Sequence, residues 1–232
     1  MRDCFGLDVT EDEILRWDEL WLSELAGDGR PSDWGPQIFA PPQREGPVRK
    51  RFRRENGPGI PPELLEGARF MEVGCGIGRL VRLQLGTAPA RYVGLDVSRF
   101  AIALCRGRFH EWEGREFCHV VDDREQILSM REQFDVVFAV SVFIHTPPDR
   151  AARMLELMSR AAAPGGWLCV DCFVGKQPPI PDAWEPGGDW YVFGGQEDGV
   201  QSMMDGLGLT DINFHHTLER RGYVVARKPE GD

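Results

Sequence analysis

A chain of 232 residues has room for one α/β domain with an appendage and a sizeable core. Its net charge of −10 argues against a general nucleic-acid or anionic-membrane binder, leaving only local basic patches for such contacts. Six cysteines without framework spacing, no signal-peptide pattern and no apolar run of transmembrane length point to a reducing, cytoplasmic setting with no membrane partner.

Residues 1–10 read as a loose end. Thr10 with Glu13 makes a capping-box pattern, which predicts a helix to about Ala26. Ile14, Trp17, Trp21 and Leu25 form one stripe of it, and Gly27 and Gly29 end it. The stripe reads as a packing face. The alternative is a lid, because two tryptophans on one stripe can flank a substrate. Residues 30–62 are rich in proline and carry the basic run Arg49-Lys50-Arg51-Phe52-Arg53-Arg54. That run reads as a solvated linker or short helix. Its alternative is a contact to RNA phosphates, with Phe52 available for stacking. Residues 1–62 thus form an N-terminal extension and proline-rich lid segment, and 63–232 the main domain.

From about residue 67 strands and helices alternate. Ala68–Gly74 is the first strand and Arg79–Leu85 the first helix of the repeat. Arg91–Asp96 is the second strand, with Ser98 capping a helix to about Glu111. The third strand is Phe117–Val121, followed by a short helix over Gln126–Arg131. Phe134–Val140 is the fourth strand, Pro148–Ala162 a helix, and Pro164-Gly165-Gly166 turns into a fifth strand, Trp167–Phe173. Cys169 and Cys172 match C-x-x-C, but alternation along a strand puts them on opposite faces, which excludes a redox or zinc pair. Residues 174–195 are a long aromatic loop. A helix over Gln196–Gly206 and a hairpin, 212–216 and 223–226, close the chain. The repetition predicts a parallel sheet with helices on both faces and right-handed crossovers.

The informative stretch is Phe70-Met71-Glu72-Val73-Gly74-Cys75-Gly76-Ile77-Gly78, a buried strand ending in a glycine turn before a helix. Glycines there admit a sharp turn and close approach of a ligand. A dinucleotide fingerprint starting at Gly74 needs glycine where Arg79 stands, so a nicotinamide cofactor fits poorly. Asp96 ends the second strand, where ligands of open α/β sheets bind, and a carboxylate there can take both hydroxyls of a ribose. Asp122 or Asp123, after the third strand, can accept from an adenine amino group. Helix capping or solvation is the other reading of that pair, and the sequence does not choose between the two residues.

The pattern E-x-G-x-G-x-G, the acid at 96, Asp135 inside the fourth strand, His145-Thr146-Pro147-Pro148 after it and Pro164-Gly165-Gly166 resemble, as an ordered set, the class I S-adenosylmethionine (SAM)-dependent methyltransferases. The resemblance covers roughly 66–175 and extends through the terminal hairpin. It implies an α/β, Rossmann-like seven-stranded sheet of order 3-2-1-4-5-7-6 with strand seven antiparallel. It implies that Glu72 and the Gly74-Cys75-Gly76-Ile77-Gly78 loop lie against the methionine part of SAM, and that Asp96 holds the ribose. Val97 would pack near adenine, Asp122 or Asp123 would bind its amino group, and Ser141 would lie near the methyl. The strand-four motif lacks the Asn/Asp-Pro-Pro-Tyr/Phe run of base and amide N-methyltransferases, which disfavours DNA amino groups and glutamine side chains.

The expected reaction is metal-independent methyl transfer from SAM to an oxygen or nitrogen of a small molecule, leaving S-adenosylhomocysteine. A hydroxyl acceptor calls for a base, and His145 is the best-placed candidate; its other reading is a structural histidine capping the next turn. His215 and His216 are weaker candidates, and His110 and His119 read as structural. The alternatives are an RNA or protein methyltransferase guided by 49–54, and a SAM-binding regulatory subunit without catalysis.

Overall fold

The computed structural model describes residues 1–26, 67–78, 90–140, 142–143, 146–173, 197–218 and 221–231. The expected helix over 79–85, the basic run at 49–54, the loop at 174–195, Ser141 and His145 lie outside the described residues. Thr10 and Glu13 form the capping box: Glu13 Oε2 accepts from Thr10 N at 2.8 Å, and Thr10 Oγ1 accepts from Glu13 N at 3.2 Å. Helix α1, Glu11–Ala26, follows. Strand β1 is Arg69–Val73 and β2 is Arg91–Asp96. Helix α2 spans Arg99–Arg108, β3 Arg115–His119, α3 Arg124–Ser129, β4 Phe134–Ala139 and α4 Pro148–Ala161. Strand β5, Ala162–Phe173, is followed by α5, Glu197–Gly206, and the hairpin β6, Thr210–Leu218, with β7, Arg221–Arg227.

The sheet order is β3-β2-β1-β4-β5-β7-β6. Strands β1 to β5 pair in parallel, and β7 runs antiparallel to β5 and β6. Strand residues alternate between two core clusters. Met71, Val73, Val93, Leu95, Val137, Ala139, Leu168, Val170, Val224 and Ala226 join one, and Phe70, Tyr92, Val136, Phe138, Cys169 and Val225 join the other. Both faces are therefore covered, which is why these strands read as near-continuous apolar runs. Among the described residues, no helix is long and apolar enough to cross a membrane.

Several element ends shift by a few residues, and three differences from expectation have a clear physical reason. Strand β3 starts at Arg115, which pairs with Tyr92. Arg115 and Glu116 are only half-buried at the sheet edge, so the apolar signal begins two residues after the backbone pairing does. Asp122 and Asp123 thus stand in the turn beyond the strand. Pro164-Gly165-Gly166 lies within β5, where the register to β4 slips between Phe134↔Ala162 and Val136↔Trp167. Residues 1–10 are not a loose end. Cys4 is buried in the first cluster and its N–H donates to Val120 O at 2.9 Å. Asp3 turns the segment by accepting from the N–H groups of Phe5 (3.0 Å) and Leu7 (2.9 Å). Two anchors, Cys4 and Val9, are too few to make a periodic pattern in sequence.

Asp135 lies at the amino end of β4, far along the strand from the ligand crevice of such sheets. It clamps β4 to β1, accepting from Arg69 N (2.8 Å), Nε (2.9 Å) and Nη2 (2.6 Å). The Arg69 hydrogen bond holds its carboxyl below the usual range. A depressed carboxyl contributes stability above its unfolded pKa and loses it as pH falls through the folded one. Asp135→Ala is expected to lower stability by about 1 kcal/mol after solvent screening, because the pair is half exposed. Thermal unfolding checks this at pH 7. The deficit should shrink at acidic pH, and ligand affinity should be unchanged.

Candidate functional site: a glycine cradle at the carboxyl ends of β1 and β2

The chain leaves β1 in a turn that only glycines can make. Gly74, Gly76 and Gly78 have φ of +75°, +51° and +76°, a region that L side chains adopt with strain. Space forbids a side chain as well. A Cβ on Gly74 would lie 2.2 Å from Val142 Cγ2, one on Gly76 2.5 Å from Trp21 Cζ2, and one on Gly78 2.5 Å from Phe109 Cε2. The turn is tied to β2, since Gly74 N and Cys75 N both donate to Leu95 O, at 2.7 and 2.9 Å.

Asp96 anchors the middle of the loop. Its Oδ2 accepts from Gly76 N at 2.7 Å and its Oδ1 from Ser98 N at 2.8 Å. It is 5% exposed. Burial pushes its pKa up to about 6, against the opposing pull of the Ser98 and Gly76 N–H bonds. The expected carboxylate therefore meets the glycine loop directly.

Glu72 is enclosed beneath the loop. It is 1% exposed and accepts from the Tyr92 hydroxyl, on the face of the sheet shared with Phe70. Burial raises its pKa to about 8. A raised carboxyl contributes stability fully below its unfolded pKa, and the contribution is lost as pH rises through 8. Glu72→Gln keeps an acceptor for Tyr92 without the charge. It is expected to unfold like wild type near pH 4 and to be more stable by on the order of 3 kcal/mol at pH 9, as read by denaturant unfolding.

Cys75 is held inside the loop. Its thiol is buried against Gly94, where a Cβ would lie 2.9 Å from Sγ, and burial pushes its pKa well above the usual thiol range. Its N–H donates to Leu95 O and its carbonyl accepts from Gly78 N at 3.0 Å, so Cys75 shapes the loop, with its side chain in the second core cluster. The Val97 side chain packs on the first core cluster, and its carbonyl faces His119 Nε2 at 2.8 Å. His119 also takes Asp122 N at Nδ1, 3.1 Å away, so both ring nitrogens of this buried histidine have partners within the protein. Arginines hold both aspartates that follow. Asp122 accepts from Arg99 Nε at 3.0 Å, and Asp123 from Arg106 Nη2 at 2.6 Å and His119 N at 2.7 Å.

Sequence reasoning missed two contributors. Val142, just after β4, closes over Gly74. Asp18, on α1, accepts from Ser98 Oγ at 2.5 Å and Phe100 N at 3.0 Å. Its signal was its place one turn before Trp21, on the face that packs with Leu25 against Ile77, Ala101 and Leu104. Helix α1 is thus packed on the domain and, in the same position, covers the glycine loop.

The seven-stranded sheet of order β3-β2-β1-β4-β5-β7-β6 is shared with the Rossmann-like fold of methyltransferases of known structure. Residues 71–168 match the family model described as a methyltransferase domain. The phthiotriol/phenolphthiotriol dimycocerosates methyltransferase 1 of Mycobacterium ulcerans is 39% identical over 105 residues, 45% of this chain and 37% of that protein. The sterol 24-C-methyltransferase of Aspergillus fumigatus is 30% identical over 123 residues, 50% of this chain and 32% of that protein. The chain thus spans only about a third of the length of these relatives. The magnesium protoporphyrin IX methyltransferase of Synechocystis PCC 6803, solved with bound SAM, superposes with a TM-score of 0.59 at 18% identity, covering 96% of this chain and 99% of that one.

Proposed function

We propose that this chain binds SAM in the crevice and transfers its methyl group to a small-molecule acceptor, releasing S-adenosylhomocysteine. The observation that carries this reading is the buried Asp96 carboxylate joined to a glycine loop that has no room for side chains. A buried acceptor at the end of β2 fits a ribose, and a bare backbone fits close approach of an amino-acid tail. SAM supplies a methyl group already activated on a sulfonium.

What remains for the protein is mainly placement, which can supply roughly 7–11 kcal/mol of a barrier. Asp96 takes the ribose hydroxyls. The Gly74, Gly76 and Gly78 backbone faces the methionine part, with Glu72 supporting it from below. Val97 borders the adenine, and Asp122 or Asp123 receives its amino group. The reading assigns the methyl end to Ser141 and the proton of a hydroxyl acceptor to His145, both outside the described residues.

The relatives named for dimycocerosates and a sterol, and the fold neighbour named for a porphyrin, favour a small acceptor with a large apolar body. The test is transfer of labelled methyl from SAM to a panel of hydroxylated lipids, sterols and porphyrin carboxylates, with RNA and a basic protein beside them. Transfer within the small-molecule set is the expected result. Transfer to RNA or protein alone, or tight S-adenosylhomocysteine binding with no transfer to anything, overturns the small-molecule reading.

A further inference from the structure

We infer that Asp18 is a positioning residue for Asp96, acting through Ser98 so that cofactor affinity depends on docking of α1; this rests on the reading of the crevice as a SAM site. Ser98 stands between the two carboxylates. Its N–H donates to Asp96 Oδ1 at 2.8 Å and its hydroxyl donates to Asp18 Oδ1 at 2.5 Å. The hydroxyl oxygen also accepts from Ala101 N at 2.9 Å, and Phe100 N donates to Asp18 Oδ1 at 3.0 Å. The first turn of α2 is therefore capped twice, once by its own Ser98 and once by a residue from another helix. A carboxylate suits that place because the first N–H groups of a helix have no partners within it.

A serine hydroxyl has a single proton. With Asp18 taking it, the lone pairs are left for Ala101 and the side chain is fixed in one rotamer. That rotamer holds the Ser98 backbone where its N–H meets Asp96. The other oxygen of Asp96 holds Gly76 N at 2.7 Å, so hydrogen bonds run unbroken from α1 to the glycine loop. One turn after Asp18, Trp21 presses on the same glycine, 2.5 Å from where a Cβ would stand. Two separate contacts from α1 thus converge on Gly76, one through the ribose carboxylate and one through the ring. When Asp18 lets go, Ser98 gains freedom and Asp96 loses a fixed donor, while its own oxygens stay in place to accept.

The experiment is calorimetric titration of S-adenosylhomocysteine into wild type, Asp18→Ala, Asp18→Asn, Ser98→Ala and the Asp18→Ala/Ser98→Ala pair, each shown to be folded at the titration temperature by near-UV circular dichroism. Asp18→Ala should weaken binding about tenfold, the worth of one charge-assisted hydrogen bond. Asp18→Asn, which keeps an oxygen acceptor, should recover most of that. The double variant should bind no more weakly than the worse single one, because both remove the same link. A contact that serves stability alone would lower the melting temperature of Asp18→Ala and leave the affinity of the folded protein unchanged. That result overturns the inference by itself, as does full additivity of the pair. A folded wild type that binds no S-adenosylhomocysteine overturns the crevice reading and this inference with it.

Discussion

Asp96→Ala is expected to bind S-adenosylhomocysteine at least about a hundredfold more weakly than wild type, because two charge-assisted hydrogen bonds to a ribose are lost together. The substitution also strips Gly76 N and Ser98 N of their acceptor. Two buried donors left without partners cost about 1–3 kcal/mol each, so the variant should melt earlier and must be titrated well below its transition. Asp96→Asn separates charge from shape. It keeps one oxygen, turns an NH₂ toward a donor, and should fall between the two. A pH series adds a signature that misfolding cannot imitate. Burial places the Asp96 pKa at about 6 in the free protein. As pH falls through that value the carboxyl takes a proton and loses acceptor strength. Wild-type affinity should therefore fall below pH 6, by up to about tenfold per unit, and the affinity of Asp96→Asn should not follow it. Calorimetric titration from pH 5 to 8 checks both.

Gly76→Ala is the second large effect. Its φ of +51° strains any residue with a Cβ, by roughly 1–2 kcal/mol. The added methyl also meets Trp21 Cζ2 at 2.5 Å and Cη2 at 2.6 Å. An indole is rigid, so relief requires α1 to back away, and with it Asp18. The expected result is a loss of about 2–4 kcal/mol in unfolding free energy and at least tenfold in S-adenosylhomocysteine affinity. Combining it with Trp21→Ala removes the clash and leaves the strain. The double variant should regain part of the binding that Gly76→Ala loses. Equal binding by wild type and Gly76→Ala would mean that α1 does not press on the loop in solution.

The glycine loop and the acid at 96 were legible because each is demanded by backbone geometry. A glycine at positive φ in a crowded turn has few substitutes, and a buried acid at a strand end stands out against Val93 and Leu95. The sheet order followed from the resemblance, and the alternation of strands with helices from periodicity. What the sequence hid was long-range pairing. Asp135 reads as a landmark just inside the fourth strand, and nothing in the sequence shows that Arg69, 66 positions earlier, pairs with it there. Asp18 reads as one more acid on an acidic helix, and only the docked position of α1 brings it to Ser98, 80 positions on. Glu72 carries no sign in the sequence of its partner, and only the pairing of β1 with β2 brings the Tyr92 hydroxyl to it. Polar partners far apart in the chain leave no periodic trace, whereas turns and apolar faces do.

The glycine loop and Asp96 are proposed to bind SAM between them. Calorimetric titration of S-adenosylhomocysteine into folded wild-type protein at pH 7.5, with NADH titrated in parallel, tests it most directly. Saturable one-to-one binding of S-adenosylhomocysteine with no heat from NADH is the expected result. Binding of NADH, or no binding of S-adenosylhomocysteine to a protein that unfolds cooperatively, would contradict it.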